Sequence, residues 1–458
     1  MHSIIGSLPR IIENGIERAE TIINSPEISM GRKEIVYPMG HGEADPDTKA
    51  WSNRLYRADN LMAIKDLLRR GYRGEIDLIY IDPPFLTKSR YRGRSRIKYG
   101  NDERNIEYLA YDDTWKGGLA AYLEMIYPRL YLMRELLSDR GSIYIHLDYR
   151  TVHYVKVLMD QVFGQNNFLN EIIWSYKSGG TSRRYFSRKH DNILVYSKTK
   201  DYIFNVQKEK SYNRGFRPYG FKGVKEYEDE MGWYTLVNMR DVWAVDMVGR
   251  TSGERVDYDT QKPENLLERI ILSSSNEDSI VADFFAGSGT TGVMADKLNR
   301  RWILADNGAL ATVTTIKRLL ENDVLPFSII RSPDDLDMAG KLTIRDIKLI
   351  TDEEGREGLE IELGDYHFNM DNMDIGGKNR KIIEEVATDE PLALIDFIGI
   401  DMDYDGGIPI INWQNYRRGD RIIIEPKINI FSGGFKGKDI YIRYMDIFGQ
   451  ENWMVHRI

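Results

Sequence analysis

Apolar runs alternate with amphipathic segments through the first two thirds of the chain. Residues 76–81 and 280–282 are largely apolar, which is typical of strands buried on both faces of a parallel sheet. Residues 60–70, 119–137 and 290–298 have helical spacing of apolar positions. Further elements are predicted at 142–147 and 302–305 (strands) and from Pro263 onward (helix). This alternation predicts a doubly wound α/β domain with a mostly parallel sheet.

Three regions depart from this alternation. Residues 11–23 predict an amphipathic helix that packs on the body of the protein or on a second subunit. Residues 199–257 are rich in aromatic, charged and glycine residues and have little periodicity. After residue 330, alternating segments such as 342–344, 359–363, 422–424 and 440–442 predict an antiparallel, sandwich-like β domain.

These changes in pattern divide the chain into predicted regions. They are an N-terminal helical extension (1–50), the first half of the α/β domain (51–198), an inserted region (199–257), the second half of the α/β domain (258–330) and an acidic C-terminal β-rich domain (331–458).

Composition and charge narrow the class of protein. The chain has 458 residues and a net charge of −8. The segment 331–458 holds 16 of the 63 basic and 26 of the 71 acidic side chains, so the segment 1–330 is close to neutral. The chain has no cysteine and no metal-binding spacing among its 7 histidines, which excludes disulfides and predicts no metal site. With no signal-peptide core or membrane-length apolar run, we expect a cytoplasmic protein.

A glycine-containing segment follows the predicted strand at 280–282. It reads Asp283-Phe284-Phe285-Ala286-Gly287-Ser288-Gly289-Thr290-Thr291. Its glycines allow a tight turn, and the loop leads into a helix whose first amides favour an anion. Asp306 ends the next predicted strand, close to the offset from the glycine segment at which an acid binds ribose hydroxyls. Taken alone the segment also fits a nicotinamide-dependent dehydrogenase.

A second segment, Asp82-Pro83-Pro84-Phe85, follows the predicted strand at 76–81. The two prolines lack backbone donors, so the Asp82 carboxylate and the Pro83 carbonyl remain as outward acceptors beside an aromatic ring. Such a site suits a planar base that carries an amino group, and a dehydrogenase would not explain it.

In this order, the two segments resemble the beta group of DNA amino-methyltransferases over roughly residues 50 to 320. Further matching segments are Ala58-Asp59-Asn60-Leu61, residues 170–174, residues 189–198 and residues 260–263; the last two resemble Mod-type adenine methyltransferases of type III restriction systems. Ala286, where relatives often carry cysteine, and Phe85 in place of the commoner tyrosine are departures that keep the shape of the site.

The resemblance implies site-specific methylation of double-stranded DNA with S-adenosylmethionine as the methyl donor. The Asp-Pro-Pro form favours N6 of a flipped adenine over N4 of cytosine, which stays an alternative, as does a catalytically silent DNA-binding relative. A homodimer and a restriction subunit are left open as partners.

The resemblance and the residue types also imply roles. The predicted catalytic residues are Asp82, Pro83, Pro84 and Phe85. The predicted cofactor residues are Asp283, Phe284, Phe285, Gly287, Ser288, Gly289, Thr290, Thr291, Asp306, Lys262 (near the cofactor carboxylate) and Asp59 (near its adenine). The predicted DNA contacts are Lys88, Arg90, Arg92, Arg94, Arg96, Lys98, Arg183 and Arg184.

Two expectations concern neighbouring residues. We expect residues 88–98 to form a mobile loop that closes over DNA, and residues 199–257 to read the DNA sequence. His146 and Asp148, at the end of the strand at 142–147, are expected to be structural or to line the pocket, because methyl transfer to an amine requires no acid–base pair.

Overall fold

The computed structural model describes residues 4–26, 30–39, 53–100, 102–177, 180–256, 258–333, 340–370, 375, 377–419, 422–432 and 434–458. Residues 1–3, 27–29 and 40–50 of the predicted N-terminal extension lie outside the described residues. The same holds for residues 51 and 257, at two predicted boundaries. Among the described helices, none is long and apolar enough to cross a membrane.

The helices include every one that the sequence predicts. Their bounds are α1 Ile4–Asn24, α2 Asn60–Arg69, α3 Gly118–Leu136, α4 Val152–Phe163, α5 Glu264–Ser274, α6 Thr290–Lys297, α7 Ala309–Glu321 and α8 Gly377–Asp389. Helices α4, α7 and α8 are additions to the predicted set. Short 3-10 turns cover Gln165–Asn167, Arg214–Phe216 and Pro391–Leu394.

The strands are on average shorter than the helices and more numerous. As far as the inserted region they are β1 Lys33–Val36, β2 Asn53–Arg57, β3 Ile76–Ile81, β4 Arg90–Tyr99, β5 Asp102–Asp112, β6 Leu137–Leu147, β7 Phe168–Ser175, β8 His190–Ser197, β9 Lys208–Tyr212, β10 Glu226–Asp229, β11 Gly232–Asn238 and β12 Val242–Ala244. The remainder are β13 Ile280–Asp283, β14 Arg301–Asp306, β15 Phe327–Arg331, β16 Lys341–Thr351, β17 Glu357–His367, β18 Ile395–Tyr404, β19 Ile410–Ile411, β20 Trp413–Tyr416, β21 Lys427–Ile430, β22 Asp439–Asp446 and β23 Glu451–Arg457.

A large mixed sheet forms the centre of the protein. The described strands in it follow the order β12-β7-β8-β6-β3-β13-β14-β2-β15-β1-β19. Its middle strands, from β6 to β15, are parallel. Apolar side chains of α1 to α4 form one core on the first face, and those of α5 to α7 form another on the second face. The predicted doubly wound α/β fold is confirmed.

The carboxyl ends of the parallel strands bring distant segments together. Strand β3 pairs with β13 through Leu78 and Val281, and β13 pairs with β14. Asp82 therefore follows β3 at the edge where Asp283 and Asp306 end their strands. Open α/β sheets bind ligands at this edge.

The N-terminal helix packs on the same chain. It runs along α3, where Gly15 faces the ring of Tyr127 so closely that a Cβ at this position would lie 2.3 Å from Cδ1. Ile11 and Ala19 are buried in the same contact face. The sequence left open whether this helix packs on the body of the protein or on a second subunit. The structure shows it packed on the body of the same chain.

Strands β4 and β5 form a β-hairpin, so the expectation of a mobile loop at 88–98 is wrong for most of that segment. Strand β4 pairs with β5 from Arg90↔Asp112 to Tyr99↔Asp102. The basic side chains share the exposed face of β4, while the opposite face is inward and buries Ile97. That inward face packs on the C-terminal region: the Ser95 and Tyr108 hydroxyls donate to the Ile447 carbonyl at 3.1 and 2.9 Å.

The inserted region and the C-terminal region each have their own sheets. Strands β9, β10 and β11 form a small antiparallel sheet, whereas β12 joins the edge of the central sheet. In the C-terminal region, β16, β17 and β21 form one antiparallel sheet and β20, β18, β22 and β23 another, and α8 accompanies them. The strand expected at 422–424 is wrong: Ile424 is buried there without strand pairing, and β21 begins at Lys427.

A buried ion cluster joins the C-terminal region to the central sheet. The Arg331 guanidinium lies 2.9 Å from Glu34 and 3.0 Å from Glu451, and Arg443 donates to the same Glu451 carboxylate at 3.0 Å. These four residues belong to β15, β1, β23 and β22. Removing one member would leave an uncompensated buried charge, which is strongly destabilising. The cluster therefore holds the C-terminal region against the central sheet.

Candidate active site at the carboxyl edge of the sheet

A cavity of about 310 Å³ opens at the carboxyl edge of the sheet. Its lining contains all four predicted catalytic residues and, except for Gly289, all predicted cofactor residues. None of the predicted DNA-contact residues lines it. The structure therefore brings the two sequence segments into one cavity, while the basic residues lie outside it.

The glycine loop is shaped by backbone geometry and by Asp306. Gly287 and Gly289 have φ of 53° and 75°, which disfavours residues with a Cβ. A Cβ at Gly289 would lie 2.8 Å from Cγ2 of Thr315, so this glycine serves packing on α7 and not the cavity wall. The Asp306 carboxylate accepts hydrogen bonds from the Gly287 and Gly308 amides at 2.9 and 2.8 Å, tying the loop to β14.

Asp283 lies at the floor of the cavity. Its carboxylate accepts hydrogen bonds from the Thr291 hydroxyl at 2.6 Å and the Phe285 amide at 2.9 Å. Burial, together with the nearby carboxylates of Asp82 and Asp306, raises the pKa of Asp283 to about 7 against the opposing effect of these hydrogen bonds.

A raised pKa at Asp283 predicts a stability change with pH. The folded pKa lies above the ordinary value of 3.8, so this group's contribution to stability is present below about pH 4 and is lost as the pH rises through about 7. We expect the free energy of unfolding of the wild type to lose up to about 1.4 kcal/mol per pH unit over that range through this group. Asp283→Asn should remove that slope. Urea unfolding of both proteins from about pH 5 to 8 measures the difference, and parallel curves would contradict it.

Asp82 faces a cation in this structure. The Lys262 ammonium donates to Oδ2 of Asp82 and, at 3.1 Å, to the Thr260 carbonyl, and it lies 5.7 Å from the centre of the Phe85 ring. The predicted place of Lys262 beside a cofactor carboxylate stays a prediction. Its observed contact is with the predicted catalytic acid, which links the two halves of the site.

The chain just after Phe85 is held in an unusual conformation. Leu86 and Lys88 have φ of 58° and 61°, a region that costs energy for residues other than glycine. Asp113, 1 % exposed, accepts hydrogen bonds from the amides of Leu86 at 3.2 Å and Thr87 at 2.7 Å. Asp113 thus fixes the exit from the catalytic segment. Sequence reasoning missed it because the whole hairpin separates it from these partners along the chain.

Aromatic side chains of the hairpin cover one side of the cavity. Tyr91 of β4 and Tyr111 of β5 stack with ring centres 4.5 Å apart, and both line the cavity. Tyr258 lies next to Gly287 on another side of the cavity. In the sequence Tyr91 stands among the basic residues of 88–98, but its stacking on Tyr111 depends on the register of the hairpin.

Arg183 and Arg184 lie on the exposed segment between β7 and β8, beside Tyr185 and Phe186, of which Phe186 is 98 % exposed. Arg188 of this segment lies over the Tyr149 ring at 3.8 Å.

His146 and Asp148 do not form a pair. Asp148 accepts from the Arg150 amide at 2.8 Å and pairs with its guanidinium, while His146 faces Asp82 and Asp191.

The sequence matches a known family. The sequence profile of the N6/N4 methyltransferases, described as DNA methylase, matches residues 76–311, just over half of the chain. The chain is 30% identical over 333 residues to the type II methyltransferase M.EcaI of Enterobacter cloacae, covering 60% of this chain and 69% of that protein.

Two other relatives carry more specific names. The StyLTI Mod subunit of a type III restriction-modification enzyme from Salmonella typhimurium is 27% identical, over 61% of this chain and 54% of its own. The DNA adenine methyltransferase YhdJ of Escherichia coli is 28% identical, over 50% of this chain and 70% of its own. The chain belongs to the N6/N4 DNA methylase family, as the resemblance implied, and its cofactor is S-adenosylmethionine.

Proposed function

We propose that this N6/N4 DNA methylase transfers the methyl group of S-adenosylmethionine to the exocyclic N6 of an adenine flipped out of double-stranded DNA. The observation that carries the proposal is the single cavity shared by the Asp82–Phe85 segment and the glycine loop. A methyl donor and an amino acceptor must meet in one site for direct transfer.

The residues present fit the cofactor. Asp306 already orders the glycine loop, and its carboxylate oxygens keep lone pairs for ribose hydroxyls. Asp59 is placed at the cavity as the N-cap of α2, accepting from the Leu61 amide at 2.8 Å and bound by Arg129 at 2.9 Å. Bound S-adenosylmethionine supplies a methyl group that its sulfonium makes electrophilic, so the chain needs no metal for activation.

The Asp82 segment suits the acceptor. Oδ1 of Asp82 is buried and accepts no hydrogen bond from the residues that the structure describes. An amino group that donates to this oxygen and to the Pro83 carbonyl would hold its nitrogen nearer to tetrahedral, localising a lone pair that the ring otherwise delocalises. Flipping the base costs a few kcal/mol, and stacking on Phe85 returns roughly 1–3 kcal/mol.

Two features support adenine as the target. The Asp-Pro-Pro form is the one that resembles adenine enzymes, and one relative of the chain is named a DNA adenine methyltransferase. Cytosine N4 is the second candidate, because the family includes both chemistries. The names of the type II and type III relatives support site-specific methylation within a restriction-modification system, with a restriction subunit as the partner to look for.

The hairpin allows a sharper prediction about DNA binding. Arg90, Arg94 and Arg96 are paired with acids of β5, whereas Arg92 and Lys98 are exposed and form no ion pair within the described part of the chain. If β4 contacts phosphates, Arg92→Gln and Lys98→Gln should each lower the slope of log K against log salt by about 0.9. Arg94→Gln should lower it less.

Fluorescence anisotropy with labelled duplex DNA over a salt series measures these slopes. The matched control is Lys436→Gln, an exposed lysine outside the predicted DNA-contact segments. Equal slopes for wild type, Arg92→Gln and Lys98→Gln would place β4 away from DNA.

The proposed reaction is tested with methyl-labelled S-adenosylmethionine and enzymatically amplified genomic DNA, which carries every sequence without prior methylation. Transfer of label to this DNA supports the proposal. Binding of DNA without transfer would indicate a catalytically silent relative.

A further inference from the structure

His146 lies directly behind Asp82. The side chain is fully buried, with Nδ1 3.3 Å from Oδ1 of Asp82 and 3.3 Å from the Tyr80 hydroxyl. On the other side of the ring, Nε2 lies 3.2 Å from Oδ2 of Asp191. One imidazole therefore bridges the acid that would contact the target base and a second acid.

Three neighbouring strands create this arrangement. Strand β6 is parallel to β3, with Ile81 opposite Ile145, and antiparallel to β8, with His146 opposite Ile193. His146 is thus flanked by the residue after β3 and by Asp191 of β8. The ring centres of Phe85 and Trp174 lie 5.1 and 5.2 Å from the imidazole centre in edge-to-face arrangements, and these contacts hold the imidazole in place.

The hydrogen positions in this arrangement leave one gap. A neutral imidazole carries a single N–H. If Nε2–H donates to Asp191, Nδ1 can accept from the Tyr80 hydroxyl, but Oδ1 of Asp82 then faces an acceptor and has no donor, and a proton added at Nδ1 would supply one. Burial raises the pKa of Asp191, but hydrogen bonds from His146 and Tyr176 and the positive charge of Lys262 act against it, and that pKa is lowered overall. Asp191 is thereby kept ready to stabilise an imidazolium.

We propose that His146 is a positioning residue that takes up, through Asp82, the proton released when the target amino group is methylated. This inference rests on the proposed function. The carbon–sulfur bond of the donor breaks as the nitrogen–carbon bond forms, so the sulfonium becomes a neutral thioether and the amino nitrogen becomes positive. That nitrogen then loses a proton to Asp82, Asp82 passes a proton to Nδ1 of His146, and the Nε2 proton leaves through Asp191.

Several ionisable groups surround His146. The ionisable groups that face it are Asp82 and Tyr80 from β3 and its end, Asp191 from β8, Tyr176 after β7 by way of Asp191, and Lys262 by way of Asp82. The Asp191 side chain is 15 % exposed, close to the 17 % of Asp82, but unlike Asp82 it does not line the cavity. A proton taken from the base therefore has an exit that avoids the cofactor side of the cavity.

The same position would suit a residue that only orients Asp82. The variant His146→Asn distinguishes that role from proton uptake. The asparagine amide can still donate a hydrogen bond to Asp82, but it cannot accept a proton. We expect this variant to bind S-adenosylmethionine normally and to lose roughly 100-fold in the single-turnover methylation rate, the low end of general acid–base effects.

The pH profile gives the decisive readout. A His146 that already carries a second proton cannot take up another, so the wild-type pH–rate profile should have a falling limb toward acidic pH. In His146→Asn this limb should disappear. His153→Asn, at an exposed position of α4, is the matched control and should keep the wild-type profile.

A wild-type rate together with an unchanged acid limb in folded His146→Asn would overturn the inference. Thermal unfolding and calorimetric titration with S-adenosylmethionine show whether each variant is folded. The wild type separates the two hypotheses: no methylation by the wild type refutes the proposed function, whereas methylation with unaltered His146→Asn kinetics refutes only the inference.

Discussion

Asp82→Ala should lower the methylation rate by about 10²- to 10³-fold, the usual cost of losing one well-placed hydrogen-bonding group at a preorganised site. In the proposed reaction this side chain contacts the base and not the cofactor, so affinity for S-adenosylmethionine should change little. Rapid-quench single turnover and calorimetric titration of the cofactor measure the two effects separately.

The Lys262 contact adds a condition to this prediction. Removing the carboxylate leaves the ammonium without its partner, and the resulting loss of stability can imitate a loss of catalysis. Asp82→Asn is the matched control, since it keeps the shape and one oxygen acceptor but not the charge. We expect it to be folded and still strongly impaired. Near-normal turnover in either variant would remove Asp82 from the reaction.

Asp306→Ala should mainly weaken cofactor binding. A carboxylate that accepts hydrogen bonds from ribose hydroxyls contributes roughly 1.5–3 kcal/mol per bond, or about a 10- to 100-fold rise in Kd for each. The variant also loses the hydrogen bonds from Gly287 and Gly308, so the glycine loop should loosen and the free energy of unfolding should fall. Excess cofactor should restore much of the rate.

Calorimetry of S-adenosylmethionine binding tests this prediction, with Asp306→Asn as the control that keeps one acceptor oxygen for the loop amides. We expect its Kd to lie between those of the wild type and Asp306→Ala. Wild-type affinity in Asp306→Ala would mean that this acid does not touch the cofactor.

The position of the site was predictable from local sequence. Asp82 and Asp283 each end an apolar run, and strands buried in a parallel sheet deliver such residues to one edge. No pairing information was needed for this, because the carboxyl ends of parallel strands share that edge. The start of α2 was equally local: the helix begins at the residue after Asp59, whose side chain caps it.

The hairpin of β4 and β5 shows what the sequence concealed. Basic residues at every second position from Arg90 to Lys98 have the period of a strand, but the high charge resembled a loop that contacts DNA. The inward positions become a buried face through contacts such as Ser95 with Ile447, 352 residues away. A local pattern cannot specify a partner at that distance.

The contacts of Lys262 and His146 are long-range in the same way. Lys262 lies 180 residues from Asp82 in sequence, and the family resemblance assigned it to the cofactor. His146 ends a strand with no motif around it, so its place between Asp82 and Asp191 follows only from the order of β3, β6 and β8 in the sheet.

Methylation of adenine at N6 is tested most directly by identifying the product. Amplified genomic DNA treated with the protein and S-adenosylmethionine is digested to nucleosides, which are separated and identified by mass spectrometry, with Asp82→Ala as the matched control. We expect N6-methyldeoxyadenosine in the wild-type sample and almost none in the control. N4-methylcytosine as the product, or no methylated nucleoside from folded, cofactor-binding protein, would contradict methylation at N6 of adenine.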